Sequence, residues 1–163
     1  VCHGVSSVQL RDKNASYDQL IIVGRQLKTL LSPYNIPLII NDYVEVALAL
    51  NTQGVHLGQS DGDINTARRR LGPNKIIGLT VDNLVQVEVA NKLPIDYIGC
   101  GPIFPTKNKE NAALFWDLNK LRQACTLSKH PVIAIGGINL DVAHQVIAAG
   151  ADGIAAIDEF YAS

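Results

Sequence analysis

A segment near the start of the chain gathers side chains that can hold a polyanion. In Val8-Gln9-Leu10-Arg11-Asp12-Lys13, the two-residue period of a strand places Gln9, Arg11 and Lys13 on one side. Arginine offers a planar fork of donors and lysine a compact charge, a pairing that both orients and neutralises phosphate oxygens. The segment therefore predicts a phosphate-binding strand end. The alternative is a strand end that simply reaches water, as charged side chains usually do.

Two carboxylates follow the next two strand-like runs. Asp42 comes after the apolar run Leu38-Ile39-Ile40, and Asp61 follows Val55-His56-Leu57 by a short turn. Two carboxylates at neighbouring strand ends can share one Mg²⁺ and leave its other octahedral positions for water and phosphate oxygens. Asp42 could instead be the N-cap of a helix predicted over residues 43–50. The residues alone leave both interpretations open.

Two later segments suit a second anion. Residues 101–115 make a long irregular loop, in which Thr106 and Lys109 could close over a bound phosphate. Gly136-Gly137 lies between a buried strand and a helix, so its backbone N–H groups could receive a phosphate at the helix N-terminus. An ordinary solvent loop and a tight glycine turn are the respective alternatives.

Composition excludes several classes of protein. With 47% apolar and 18% charged residues the chain should fold into a compact domain. Its net charge of −1 argues against binding to nucleic acid or to an anionic membrane surface. The three cysteines are an odd number without C-x-x-C spacing, which argues against a disulfide framework or a structural zinc site. No apolar run approaches the ~18 residues of a membrane span. We therefore expect a cytoplasmic protein.

The elements that must position these residues alternate between strand and helix. The predicted strands are residues 5–11, 37–42, 54–58, 75–80, 97–103, 131–137 and 153–158. The predicted helices include residues 17–31, 43–50, 67–71, 83–92 and 140–149. Such a repeat fits an open doubly wound sheet or a (β/α)₈ TIM barrel. Polar or glycine-rich groups follow nearly every strand, which favours the barrel because a barrel gathers all its strand ends around one site.

We expect residues 1–163 to form a single barrel domain. Seven strands are one short of closure, so a first strand and helix are expected to precede Val1.

Five segments, in this order and spacing, closely resemble the thiamine phosphate synthase family. They are residues 8–13, 40–42, 54–61, 101–106 with Lys109, and 135–138. The resemblance implies a (β/α)₈ barrel and a transferase. The reaction would join 4-amino-2-methyl-5-hydroxymethylpyrimidine diphosphate to 4-methyl-5-(2-phosphoethyl)thiazole in its carboxylated form. Its products would be thiamine monophosphate and pyrophosphate, with Mg²⁺ as cofactor and a pyrimidine cation as intermediate.

The resemblance also implies a set of site residues. The pyrimidine diphosphate would be bound by Gln9, Arg11, Lys13, Asn41, Thr80 and Lys109, and catalysis would depend on Arg11, Lys13 and Lys109. Mg²⁺ would be held by Asp42 and Asp61. The thiazole phosphate would be bound by Thr106, Asn108, Gly137, Ile157 and Asp158. The chain departs from the family at Asp158-Glu159, where the family generally has serine followed by a small residue. Carboxylates there would repel a phosphate.

Two other functions fit the same resemblance. A related thiazole tautomerase needs a histidine just after the corresponding strand, where this chain has Thr80-Val81-Asp82-Asn83. A non-catalytic homologue that binds ligands or assembles with other proteins is suggested by Asp158-Glu159. A homo-oligomer and a fusion to a kinase of the thiamine pathway are both compatible with the sequence, which does not choose between them.

Overall fold

A computed structural model describes residues 4–105 and 116–157. Four predicted site residues, Thr106, Asn108, Lys109 and Asp158, lie outside the described residues. The chain divides into two compact units, Val1–Gly78 and Leu79–Ser163, with the boundary inside the fourth strand.

Strands and helices alternate along the whole described chain. In order they are β1 (Val8–Leu10), α1 (Tyr17–Leu31), a 3₁₀ helix (Ser32–Tyr34), β2 (Leu38–Asn41), α2 (Val44–Leu50), β3 (Gly54–Leu57), α3 (Ile64–Leu71), β4 (Ile76–Val81), α4 (Leu84–Ala90), β5 (Tyr97–Cys100), α5 (Leu118–Leu127), β6 (Val132–Ile135), α6 (Leu140–Ala148) and β7 (Gly153–Ala155). The seven described strands belong to one sheet and follow each other in chain order.

In the first unit, parallel strands form the buried centre. Strand β2 pairs with β1 through Leu38 opposite Val8, and with β3 through Asn41 opposite His56. All four residues of β2 are buried, as expected of a parallel strand covered on both faces. Because the carboxyl ends of parallel strands lie at the same edge, this pairing brings the segments after β1, β2 and β3 together.

The second unit repeats this arrangement. Strand β6 pairs in parallel with β5, with Ala134 opposite Cys100, and with β7, with Ala155 opposite Ile135. Ile98 and Val132 are almost completely buried. The segments that follow β5 and β6 therefore leave the sheet side by side.

The predicted boundaries are best for the helices that carry clear caps. Helix α1 covers the predicted residues 17–31, and Ser16 with Gln19 forms a capping box at its start. The predicted strands are too long at several ends, because only residues with a parallel partner belong to a strand. Thus β1 is Val8–Leu10 rather than residues 5–11. Helix α5 is absent from our prediction, although Asp117 caps it and accepts a hydrogen bond from the N–H of Lys120 at 2.7 Å.

Residues 4–105 and 116–157 contain no helix with both the length and the apolar character needed to cross a membrane. Within these ranges, no group of three or more His, Cys, Asp or Glu side chains is placed to hold a metal ion.

Candidate active site

Two aspartates meet beyond the carboxyl ends of β2 and β3. The side chains of Asp42 and Asp61 share a hydrogen bond. Asp61 is also held from its other side, because its Oδ2 accepts a hydrogen bond from the N–H of Gly58 at 2.7 Å. The predicted carboxylate pair is therefore present in the first unit, with the two carboxyl groups in direct contact.

An unusual backbone conformation carries Asp42 into this pair. Its φ is +64°, in the left-handed region that aspartate tolerates better than most residues. Its N–H donates to the carbonyl of His56 at 2.9 Å, and the N–H of Tyr43 donates to the carbonyl of Asn41 at 2.8 Å. The N-cap of α2 is Tyr43, so the alternative of Asp42 as a helix cap is wrong. The strand ends in a tight bend instead, which directs the carboxylate toward β3.

The two aspartates titrate differently. Burial, the hydrogen bond with Asp61 and the negative charge of Asp61 together raise the pKa of Asp42 to about 6, against the opposing charges of Lys13 and Arg11. Burial also acts to raise the pKa of Asp61. The hydrogen bonds from Asp42 and Gly58 and the charge of Lys13 outweigh that effect, so this pKa lies below its usual range. Without metal the pair therefore holds one proton, on Asp42, up to about pH 6.

Cations from the segment after β1 lie close to this pair. The charges of Lys13 and Arg11 both act to lower the pKa of Asp42, and Lys13 does the same for Asp61. Both cationic side chains are exposed, as is Gln9 on β1. The structure thus brings Arg11, Lys13 and the two aspartates together, and their roles in a binding site stay a prediction.

Beneath this site lie Asn41, which the sequence assigned to the pyrimidine diphosphate, and His56, which it did not assign. Asn41 ends β2 and is only 7% exposed, although it is polar. Its neighbour across the strands is His56. Burial lowers the pKa of His56 to about 4 despite the opposing effect of Asp61, so this imidazole is neutral at physiological pH. The run Val55-His56-Leu57 alone would place His56 among interior residues. Its alternation with apolar neighbours gave no signal of its closeness to Asp61.

The acidic pair fits a hard divalent cation. Mg²⁺ prefers oxygen ligands and is commonly bound by one or two carboxylates together with water and substrate phosphates. The pair retains a proton in the absence of metal because the neighbouring cations do not fully neutralise two ionised carboxylates. Asp42 and Asp61 would be the protein ligands, and the other positions would remain for water and substrate.

In the second unit, the segments after β5 and β6 pack closely together. The N–H of Ile103 donates to the carbonyl of Ile135 at 3.0 Å, and that of Phe104 to the carbonyl of Gly136 at 3.1 Å. Gly137 has a φ of +64°, and a Cβ added there would lie 2.6 Å from the carbonyl oxygen of Pro105. Only glycine fits that position without movement of the loop.

Helix α6 begins directly after this glycine. Its N-cap is Asn139, whose side-chain oxygen accepts a hydrogen bond from the N–H of Val142 at 3.2 Å. Gly137 itself is exposed, two residues before the cap. This is the strand–glycine–helix arrangement that the sequence predicted, and it presents a backbone segment and a helix N-terminus to an anion.

Two further predicted site residues are placed in this unit. Thr80 lies within β4 and is partly buried, and Ile157 lies just beyond β7 and is 49% exposed. Their assigned roles, and those of Thr106, Asn108, Lys109 and Asp158, remain predictions.

Comparisons with known proteins agree with this geometry. A family model described as thiamine monophosphate synthase matches residues 1–160. The chain belongs to this family. It is 51% identical over 160 residues to the thiamine-phosphate synthase of Chlamydia abortus, covering 98% of this chain and 76% of that protein. The corresponding enzyme of Albidiferax ferrireducens is 44% identical over 160 residues, covering 98% of this chain and 73% of the relative.

The fold of the thiamine monophosphate synthase family is also found in a solved structure. Thiamine phosphate pyrophosphorylase from Pyrococcus furiosus superposes with a TM-score of 0.86 at 39% identity, over 95% of this chain and 74% of that one. This match confirms the predicted fold class, an α/β fold of the TIM-barrel type.

Proposed function

We propose that this chain is a thiamine phosphate synthase that joins a pyrimidine diphosphate to a thiazole phosphate. The observation that carries the proposal is the contact of Asp42 with Asp61 beside Arg11 and Lys13, in a member of this family. A pair of carboxylates flanked by cations suits a diphosphate bound together with Mg²⁺.

In this proposal the first unit binds the pyrimidine diphosphate. Arg11 and Lys13 contact the phosphate oxygens, and Gln9 and Asn41 donate hydrogen bonds from their amide groups. When bound, Mg²⁺ would be held by Asp42 and Asp61 and would neutralise part of the diphosphate charge. Thr80 and Lys109 are not part of the first unit, and their assignment to the same substrate stays a prediction from the family resemblance.

The chemistry needs charge stabilisation rather than an activated nucleophile. The bond between the pyrimidine methylene carbon and the diphosphate oxygen breaks, and the electron pair leaves with pyrophosphate. The resulting pyrimidine methyl cation is captured by the lone pair of the thiazole nitrogen, which forms the new C–N bond. When the thiazole is carboxylated, its carboxyl group must also leave as CO2, with the electron pair of the broken C–C bond remaining on the thiazole carbon. The residues that matter most are those that stabilise the charge growing on pyrophosphate, chiefly Arg11, Lys13 and Lys109.

The thiazole phosphate is assigned to the second unit. Gly137 and the N-terminus of α6 would receive its phosphate through backbone N–H groups. Thr106, Asn108, Ile157 and Asp158 are proposed as further contacts. A carboxylate at position 158 beside a phosphate must be protonated or directed away from it, because two negative groups repel.

Activity measurements on matched variants test the proposal. With both substrates and Mg²⁺, the wild-type chain should form thiamine monophosphate and release pyrophosphate in equal amounts. Arg11→Ala should lower kcat about 10²-fold or more, the effect of losing one preorganised electrostatic contact. Arg25→Ala removes an exposed arginine on α1 that the mechanism does not use, and it should leave kcat unchanged.

Two results would contradict the assignment. Near-normal turnover of Arg11→Ala would show that Arg11 is not part of the catalytic site. Magnesium-dependent binding of the pyrimidine diphosphate without any product would instead indicate a homologue that binds the ligand and does not catalyse the reaction.

We also propose the cytoplasm as the compartment. Cys100 and Cys125 are both free thiols. Burial raises the pKa of Cys100 to about 12 and also raises that of Cys125, so both are poor thiolates at neutral pH. Unpaired cysteines suit a reducing environment.

A further inference from the structure

Trp116 carries a buried donor that lacks an acceptor. Its indole ring is only 2% exposed. Among the buried side-chain nitrogen and oxygen atoms of residues 4–105 and 116–157, Nε1 of Trp116 is the one without a hydrogen-bond partner. Leaving a buried donor unpaired costs about 1–3 kcal/mol, so native structures rarely contain one without a reason.

The main chain of Trp116 ties it to the segment after β5. Its N–H donates to the carbonyl of Pro102 at 2.9 Å. Pro102 in turn contacts the segment after β6, since a Cβ added to Gly136 would lie 2.6 Å from the Cβ of Pro102. Trp116 therefore belongs to the same group of loops as Gly137, within the second unit.

The chemistry of the indole restricts what it can bind. The Nε1–H group is a donor only, so its partner must be an acceptor. A buried donor gains most from a charged acceptor, because hydrogen bonds to charged groups are about twice as strong as neutral ones. The N-terminus of α6, which begins at Leu140, also favours negative charge. Both features of these loops favour an anionic oxygen as the bound group.

We infer that the indole N–H of Trp116 donates a hydrogen bond to an anionic oxygen of the thiazole substrate, which makes Trp116 a further binding residue. The inference rests on the proposed function for the identity of that substrate. The anionic oxygen belongs to the phosphate or to the carboxylate of the carboxylated thiazole. The same acceptor chemistry occurs in pyrophosphate and in the pyrimidine diphosphate, so the experiment must separate these sources.

Intrinsic fluorescence gives a direct readout, because Trp116 is the only tryptophan of the chain. Wild-type protein is titrated separately with thiazole phosphate, with the thiazole alcohol that lacks phosphate, with the carboxylated thiazole phosphate, and with pyrophosphate plus Mg²⁺. The emission should change with thiazole phosphate, and comparison with the alcohol and the carboxylated form identifies the group that is bound. If the emission changes with pyrophosphate plus Mg²⁺ but not with any of the thiazole compounds, the assignment to the thiazole substrate is overturned.

Steady-state kinetics test whether the N–H group matters for binding. Trp116→Phe keeps an aromatic ring and removes the donor, and it should raise KM for the thiazole phosphate about 10-fold or more. KM for the pyrimidine diphosphate should stay unchanged. Tyr34→Phe is the matched control, because it removes a donor from an exposed aromatic ring in the first unit and should change neither KM.

A second variant protects the test against misfolding. Benzothienylalanine incorporated at position 116 keeps the shape of the indole and replaces N–H by sulfur, so it should reproduce the rise in KM without loss of stability. An unchanged KM for thiazole phosphate in this folded variant would overturn the inference. If the wild-type chain forms no thiamine monophosphate but thiazole phosphate still changes the emission of Trp116, the proposed function fails and the inference stands.

Discussion

At the scale of single residues, Asp42 combines a cost in backbone energy with a cost in electrostatics. The left-handed conformation costs about 1–2 kcal/mol for a residue with a side chain. Its position beside Asp61 also disfavours the ionised form, as the raised pKa indicates. Both costs arise because the fold holds the carboxylate of Asp42 against that of Asp61. Strain of this kind persists where a site requires it, and a bound cation would relieve the electrostatic part.

The raised pKa leads to a prediction about magnesium binding and pH. Because Asp42 holds a proton below about pH 6, Mg²⁺ must displace that proton in acid but not at neutral pH. The apparent affinity should be constant above pH 6 and fall about tenfold per pH unit below it. Asp61 has a lowered pKa and His56 one of about 4, so neither should add a second proton between pH 5 and 7.

Calorimetry in buffers of different ionisation enthalpy measures this proton release. About one proton should be released per Mg²⁺ at pH 5 and almost none at pH 7.5. Asp42→Asn is the control, since an amide cannot exchange that proton, and its weaker binding should be independent of pH in this range. An affinity of the wild type that is the same at pH 5 and 7.5 would contradict the assignment of Asp42 as a ligand.

At the scale of elements, strand ends and loop glycines position the site. Gly137→Ala should disturb the segment before α6, since the added methyl would meet carbonyl oxygens of Phe104 and Pro105 at 2.7 and 2.6 Å. We expect a loss of about 1–3 kcal/mol in the free energy of unfolding from the strained backbone. We also expect kcat/KM for the thiazole phosphate to fall about 10²-fold, the effect of a displacement near 1 Å at a binding loop.

Gly72→Ala is the control that separates the effect of backbone strain from the effect of a displaced binding loop. Gly72 also has a positive φ, of +83°, but no atom lies within 4 Å of an added Cβ. It ends α3 in the first unit. Both variants should unfold at lower denaturant concentration, and only Gly137→Ala should impair use of the thiazole phosphate. Equal kcat/KM values in the two variants would show that the segment at Gly137 does not hold this substrate.

The sequence predicted the positions of the strands better than the geometry at their ends. Apolar runs such as Leu38-Ile39-Ile40 identify buried parallel strands because both of their faces are covered. The bend at Asp42 depends on a hydrogen bond to His56 in the next strand, and no local pattern encodes such a contact. Helix α5 had a usable signal in Asp117 followed by Leu118, Leu121 and Ala124, a stretch to which our prediction assigned no element.

The same limit applies to the polar residues that hold the site together. Gly58 contributes its backbone N–H to Asp61, and the unpaired donor of Trp116 is visible only once its burial is known. From the sequence alone, a lone tryptophan next to the long loop would be assigned to packing. Its burial agrees with a packing role, but the unpaired N–H group does not follow from it. Residue types at strand ends thus predicted the charged groups, whereas the groups that orient them required coordinates.

At the scale of the whole molecule, charge is nearly balanced, with 14 basic and 15 acidic residues. A net charge of −1 creates little long-range attraction for an anionic substrate, so binding must depend on local groups such as Arg11 and Lys13. Exposed cations are screened by salt over about 8 Å at physiological ionic strength. Under the proposed function, affinity for a diphosphate should therefore depend strongly on Mg²⁺ held by Asp42 and Asp61.

This dependence predicts a synergistic effect of ligands on thermal stability. A ligand present at 100 times its dissociation constant stabilises the folded state by about 2.7 kcal/mol. For a chain of 163 residues, each 1 kcal/mol raises Tm by about 2–4 °C, so Mg²⁺ with pyrimidine diphosphate should raise Tm by about 5–11 °C. Either component alone should produce a much smaller shift, because the diphosphate and the carboxylates repel each other without the metal.

Scanning calorimetry of the wild type and Asp61→Asn tests this expectation. In Asp61→Asn the joint shift should fall to the sum of the separate shifts, since one metal ligand is lost while the cations remain. An undiminished joint shift in that variant would mean that the metal and the diphosphate bind away from the aspartate pair.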